Sequence, residues 1–571
     1  MKIKNHFVID TKEILSRRSI PGIWFAKALP AALENPKLVV EQPSVLQPLW
    51  TALGKEDESY LCGNKWDEIP LAHGYAGHQF GVYAGQLGDG AAMLFAELGE
   101  GTSRLEVQWK GAGPTSYSRD GDGRKVLRST MREFYGCEAM AGLGIPSTRA
   151  GSVVMSTTAT AERDPTYCGK VIREPIAVLT RFSKSFLRFG SFEVFHAPSG
   201  PSAGLENPLL EQYLQAAIQL ISPDLSSAAG SSNSYAKFLD VVVERTAKLI
   251  ASWQLVGFCH GVMNTDNMAL CGDTLDYGPF AFMEHFDPSF VCNGSDHYGR
   301  YAFDQQPIVG RWNCVQLGKA LSPLLPLDEP HIEQKYDEVF SSCFNEGFAA
   351  KLGLKVVDLP LQASLLTVMA KTAPDYTQLF CVLSDTRPFL ADIEQTAQCI
   401  LQICPAFERY QHPPNEPFGH VRTEDLERAL SNPILLLQAG IVPEELKKIM
   451  DQRKIRSTMT EQTYVEMILS QWKNWLTSYT QTLTSQYENL SSNVPLQKSI
   501  QERMYQVNPM YILRNHVCQT LIEKFEDRSL QQATLERIMD PFNRHFSKNY
   551  DYVKDWPRPS NADKIFVTCS S

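Results

Sequence analysis

His260-Gly261-Val262-Met263-Asn264-Thr265-Asp266-Asn267, followed nine residues later by Asp276-Tyr277-Gly278, is the stretch on which the reading of this chain turns. It is a polar loop between a helical run, Val241 to Val256, and the apolar run Phe280–Met283. A carboxylate such as Asp266 can take a proton from a hydroxyl. The side-chain oxygens of Asn267 and Asp276 are the hard donors that divalent cations of the magnesium type select.

Working outward, Leu105, Val107 and Trp109 alternate with Glu106, Gln108 and Lys110, which predicts a half-buried strand stopped by Gly111 and Gly113-Pro114. From about Arg124 to Met140 the period becomes helical, with Leu127, Met131, Phe134 and Ala141 on one stripe; Gly142, Gly144 and Pro146 end it. Lys110 on the strand and Glu133 on the helix read either as a phosphate-contacting lysine held by a glutamate or as two unrelated surface charges. Gln86-Leu87-Gly88-Asp89-Gly90-Ala91-Ala92 reads either as a phosphate-approaching loop or as a hairpin turn. Asp120-Gly121-Asp122-Gly123-Arg124-Lys125 opens the helix, where an anion would be favoured, and is equally a helix-start turn with two solvated acids. Arg181 and Arg188, set among aromatic residues, suit polyphosphate binding or plain salt bridges.

Protein kinases order these parts in the same way: strand Lys, helix Glu, H-R-D-x-x-x-x-N, then D-F-G. Asn267 stands seven residues after His260, as that pattern requires, and Asp276-Tyr277-Gly278 takes the D-F-G place. The position of the kinase catalytic Asp is Val262, which cannot accept a proton, so the remaining carboxylate is Asp266. The expected fold is α+β, a protein-kinase-like bilobal core with a mixed N-lobe and a helical C-lobe. Its parts are an N-terminal extension over 1–70, an N-lobe over 71–190, a C-lobe over 191–345 and a helical C-terminal region over 346–571.

Bulk properties narrow the function. A net charge of −10 argues against a general nucleic-acid binder. Thirteen cysteines without a C-x-x-C pair give neither a disulfide framework nor a zinc cluster, and fit a reducing compartment. No run of about 18 apolar residues predicts a membrane span. The first residues carry Asp10 and Glu13 and resemble no leader peptide. Cytoplasm is the expected location.

Gly85-Gln86-Leu87-Gly88-Asp89-Gly90, Asp122-Gly123-Arg124, Val126-Leu127-Arg128-Ser129, Arg132-Glu133-Phe134, Leu143-Gly144-Ile145-Pro146, Arg188-Phe189-Gly190 and the His260–Asn267 loop resemble the selenoprotein O family. Asn508-Pro509-Met510-Tyr511-Ile512-Leu513-Arg514-Asn515 and the end Val567-Thr568-Cys569-Ser570-Ser571 extend the resemblance. It implies a kinase-like fold that binds ATP in a flipped orientation and transfers AMP to Ser, Thr or Tyr hydroxyls of protein substrates. For a eukaryotic source the resemblance implies mitochondria. By position, Gly88, Gly90, Ala91, Lys110, Asp122, Gly123, Arg181, Arg188 and Asp276 would bind nucleotide. Asp266 would accept the proton, Asn267 and Asp276 would hold Mg²⁺ (or Mn²⁺), and Glu133 would orient Lys110. Two departures stand out: Ala91 occupies a place where the family usually has Arg, and Phe566 stands where many members carry a Cys partner for the residue at Cys569. Cys569 is then a candidate for a mixed disulfide or a plain tail thiol. UMP transfer from UTP, conventional phosphotransfer and a nucleotide-sensing pseudokinase scaffold are the alternatives.

Overall fold

The computed structural model describes residues 1, 3–12, 18, 20, 22–164, 169–195, 209–228, 232–385, 392–413, 421–432, 436 and 442–526. Cys569 and Phe566 lie outside the described residues. Two compact units contain them. Those within Met1–Met283, Pro288–Gly347 and Tyr511–Ser571 form one, and those within Glu284–Asp287 and Phe348–Met510 the other. The α+β class holds.

The first unit is built on a mixed sheet. Its strands, in chain order, are β1 (Ile9–Asp10), β2 (Phe25–Lys27), β3 (Pro36–Glu41), β4 (Leu71–His73), β7 (Ala92–Leu98), β8 (Leu105–Lys110), β9 (Lys125–Val126), β10 (Arg149–Arg163) and β11 (Ile172–Ser183). A separate small hairpin, β5 (His78–Gln79) and β6 (Val82–Tyr83), falls between β4 and β7. The spatial order is β1-β2-β4-β7-β8-β11-β10-β3, with β9 on β11. Residues ahead of position 71 therefore supply strands at both ends of the sheet. Apolar alternation drives the packing: the Trp109 ring stacks on Phe95 at 3.9 Å, and its indole N–H donates to the Tyr60 carbonyl at 2.6 Å.

The alternation in β8 does not give a half-buried strand. Glu106 and Gln108 are as buried as Val107 and Trp109. The polar face turns into a hydrogen-bonded layer instead of solvent: Glu106 accepts from Arg104 and from the Phe186 N–H, and Gln108 accepts from Arg181. Buried polar groups survive when they are paired this way.

The helix Leu127–Gly142 follows β9 and packs on β10 and β11. Its periodicity predicts a single apolar stripe, yet Arg132, Glu133 and Glu138 are buried too. Its far side is covered by Tyr277 and Phe280, which would meet a Cβ on Gly136 at 2.8 and 3.0 Å, and by the helix Asn515–Glu526. Arg132 lies 4.4 Å over the Phe280 ring and donates to Asn515 Oδ1 at 2.9 Å. A short ladder, β12 (Phe258–Cys259) with β13 (Ala281–Phe282), clamps the base of the loop that carries Asp266 and Asp276. No described helix is long and apolar enough to cross a membrane, and the described cysteines are free thiols.

The second unit is helical. The helices Leu359–Thr372 and Glu461–Gln486 bury Leu365, Met369, Trp472, Trp475 and Tyr479. Trp472 donates its indole N–H to Thr372 Oγ1 at 3.1 Å, and Trp475 stacks on Tyr479 at 5.0 Å. Lys351 is buried there with its amine 4.0 Å above the Phe380 ring, and burial pushes its pKa down to about 7. Between pH 7 and the ordinary lysine value of about 10.4, the unfolded chain binds a proton that the native one has lost. Lys351 thus makes stability rise with pH across that window, and its penalty is fully present below it. Lys351→Met is expected to flatten this slope and to stabilise the protein near pH 7 by about 1–4 kcal/mol. Denaturant titration at several pH values measures this; an unchanged slope contradicts it.

Candidate active site

The site is assembled on Asp276. Its Oδ1 accepts from Lys110 Nζ at 2.7 Å and from Arg181 Nη1 at 2.6 Å, and its Oδ2 accepts from Arg188 Nη1 at 2.9 Å. Burial by itself would raise this carboxyl, but Lys110, Arg188 and Arg181 together hold it well below the usual carboxylate range. Each cation has its own support. Lys110, at the end of β8, lies 2.9 Å from Glu133 of the helix Leu127–Gly142. Arg181, on β11, is fully buried; it donates to Glu133 at 3.1 Å, to the Leu275 carbonyl at 3.1 Å and to Gln108 at 3.0 Å.

Arg188 reaches the loop from the other side. It donates to the Asp266 carbonyl at 2.8 Å and to Asp89 at 3.3 Å, and its guanidinium lies 4.6 Å over the Tyr75 ring. Asp89, the acid inside Gly88-Asp89-Gly90, is therefore turned inward; burial raises its pKa against the pull of Arg188 and Arg181. Gly88 is required for this turn: its φ is +136°, and a Cβ would sit 2.5 Å from the Tyr117 ring.

The His260–Asn267 loop is fixed from within. His260 stacks on Trp253 at 5.3 Å, and burial lowers its pKa to about 4, so its ring is neutral at pH 7. Val262 N–H donates to His260 Nδ1 at 3.3 Å, and Asn267 Nδ2 donates to the Val262 carbonyl at 2.9 Å. That bond uses the amide nitrogen of Asn267 and leaves its oxygen for another partner. Asp266 is 7% exposed. Its Oδ2 accepts from Gln79 at 3.4 Å, while its buried Oδ1 has no hydrogen-bond partner. Burial pushes its pKa up to about 7, with Arg188 opposing. The result is a carboxyl group with one buried, unpartnered oxygen near a strongly ionised carboxylate.

Of the residues read from the sequence, Lys110, Glu133, Arg181, Arg188 and Asp276 meet directly, and Asp266 joins them through Arg188. Ala91 and Gly90 lie on the loop leading into β7, and the Ala91 carbonyl accepts from the Gly111 N–H at 2.7 Å. Gly123 packs on the turn after β8: at φ +65° a Cβ would lie 2.2 Å from the Gly113 oxygen. Asp122 does not join the cluster through its carboxylate, which pairs with Arg163 at 2.9 Å and is half-exposed. Asp89, Gln108, Tyr75 and Gln79 were not singled out. The signal for Gln108 was its place two residues before Lys110 on the same strand face. Among the described residues no group of three or more His, Cys, Asp or Glu gathers as a metal cluster.

A sheet, one helix and one clamped loop thus define an α+β protein with a largely buried charge cluster, partly exposed at Lys110 and Asp276. The family model described as Protein adenylyltransferase SelO matches residues 23–543, and the chain belongs to the SelO family. It is 38% identical over 562 residues to the mouse "Protein adenylyltransferase SelO, mitochondrial", covering 92% of this chain and 83% of the mouse protein. The human protein of the same name is 37% identical over 563 residues, with the same coverage. A "Protein nucleotidyltransferase YdiU" from Cronobacter sakazakii is 35% identical over 570 residues, covering 97% of this chain and 98% of that protein.

Removing Arg181 leaves Glu133 and Asp276 each short of a buried partner. Arg181→Met is expected to cost about 3–5 kcal/mol in chemical denaturation. Arg181→Lys should recover only part of it, because an ammonium cannot bridge Glu133, Asp276 and Gln108 at once. A loss below about 1 kcal/mol would contradict the assignment.

Proposed function

We propose that this chain transfers AMP from ATP to Ser, Thr or Tyr hydroxyls of protein substrates and releases pyrophosphate. The observation that carries the reading is the convergence of Lys110, Arg181 and Arg188 on Asp276, with a buried, unpartnered carboxylate oxygen of Asp266 alongside. The names of the relatives support it: adenylyltransferase for the mouse and human proteins, nucleotidyltransferase for the bacterial one.

In this reading the acceptor oxygen attacks the α-phosphorus of ATP, and the bond from that phosphorus to the β-phosphate bridge oxygen breaks. The hydroxyl proton passes to Asp266 Oδ1, and pyrophosphate leaves with the bridge oxygen. Lys110, Arg181 and Arg188 stabilise charge on the phosphates as it grows, in a cleft where water screens little. Glu133 keeps Lys110 in place. Asn267 and Asp276 would hold Mg²⁺ (or Mn²⁺): the free Asn267 oxygen and the partly exposed Asp276 carboxylate are the hard donors such an ion takes. When bound, the ion would neutralise phosphate charge. Gly88, Gly90, Ala91, Asp122 and Gly123 belong to the loops that would approach the nucleotide.

The same reading carries a protein-kinase-like organisation, with 71–190 as N-lobe, 191–345 as C-lobe, 1–70 as an extension and 346–571 as a helical region. Strand Lys110, helix Glu133 and Asp276 of the Asp276-Tyr277-Gly278 turn support it by meeting at one site.

Incubation with a protein acceptor and α-³²P-ATP, γ-³²P-ATP or α-³²P-UTP in parallel separates the reactions. Label from α-³²P-ATP alone is expected, falling about 10²-fold or more in Asp266→Ala and Asp276→Ala. Label from γ-³²P-ATP would mean phosphotransfer, and a preference for UTP would mean UMP transfer. ATP binding without any label would mean a pseudokinase scaffold.

A further inference from the structure

Lys125 lies beside this cluster, and the reaction outlined above does not use it. On β9 it pairs in register with Ala177 of β11, and Leu179 of the same strand pairs with Lys110. The two lysines therefore sit two residues apart in register along β11. They come closest at Gly111, where a Cβ would stand 2.9 Å from the Lys125 Cβ, and φ is +103°. The Gly111 N–H donates to the Ala91 carbonyl at 2.7 Å. One glycine thus separates the stem of Lys125 from residue 91, the position where an alanine replaces the arginine usual in the resemblance.

The ion pairs rank the cations by commitment. Lys110 lies 2.9 and 2.7 Å from its carboxylates, Arg181 3.1 and 2.6 Å, and Arg188 2.9 and 3.3 Å. Among the described residues Lys125 has a single ion pair, to Glu133 Oε2 at 3.9 Å. Its side chain keeps 22% exposure, close to the 17% of Lys110 and the 20% of Asp276. A cation that is loosely paired, partly exposed and next to the phosphate-binding lysine is positioned to take an incoming anion. Burial, aided by Lys110, lowers its amine to about 8, as for a charge that lacks a close counter-ion.

We propose that Lys125 is a further nucleotide-binding residue, supplying to the ATP phosphates the positive charge that Ala91 cannot. The inference rests on ATP being the substrate of this cleft. Lys125 adds a fourth cation beside Glu133, and its flexible four-carbon stem lets it follow the phosphates. Residue 91 and residue 125 are then alternative roots for one charge.

Calorimetric titration of the full chain with ATP, and separately with adenosine, tests this. Lys125→Met keeps most of the stem and removes the charge; it is expected to weaken ATP binding about tenfold, as for loss of one charge-assisted contact, and to leave adenosine within about twofold. Adding Ala91→Arg to Lys125→Met should return ATP affinity to within about threefold of the original. A merely structural role for Lys125 would weaken adenosine in parallel and would not be rescued from position 91; either result overturns the proposal. An ATP affinity unchanged in Lys125→Met but weakened in Lys110→Ala removes Lys125 alone. Affinity unchanged in both removes the nucleotide reading of the cleft itself.

Discussion

The ionised carboxylate of Asp276 is the constraint on which the rest of the site depends. Three cations from three different parts of the fold, the end of β8, the last residues of β11 and the segment after it, are drawn onto two oxygen atoms. None of those cations could be buried alone without a large desolvation cost, and none of the acids could either. Glu133 and Asp89 complete the balance from the helix and from the loop before β7. The sheet, the helix and the clamped loop are thus held in register by charge as well as by apolar packing. The clamp of β12 on β13 fixes where Asp276 is presented.

This arrangement also sorts the two aspartates by task. Asp276 is surrounded by cations and stays ionised; Asp266, one residue before the metal-binding candidate Asn267, has a buried oxygen with no partner. Val262, at the place of the kinase base, forms part of the loop's internal bonding through its N–H and carbonyl. Its side chain need do no chemistry there. The loop keeps its shape with Val262 in that place, and in the proposed reaction the proton acceptor is Asp266.

Much of this was legible in the sequence because it is local. The alternation of Leu105 to Lys110 and the helical period from Leu127 are short-range patterns, and a strand and a helix form where they stand. What was not legible depends on which elements cover one another. Glu106 and Gln108 read as solvent-facing because alternation reports two faces and not what lies against them. Glu138 and Arg132 read as the polar side of an amphipathic helix, yet Tyr277, Phe280 and the helix Asn515–Glu526 close over that side. Asp89 looked like the acid of a turn; its partner Arg188 is 99 residues away, and no local pattern joins them. Asp122 is the opposite case, a loop acid whose visible partner is the surface Arg163.

If Asp276 is the anion that collects the cations of this cleft, neutralising it leaves them in surplus. Equilibrium binding of ATP to Asp276→Asn, measured with and without Mg²⁺, examines this directly. The expected result is metal-free ATP binding at least as tight as in the original protein, with the gain from Mg²⁺ lost. Weaker metal-free binding together with a preserved gain from Mg²⁺ would mean that Asp276 neither gathers the cations for the nucleotide nor holds the ion.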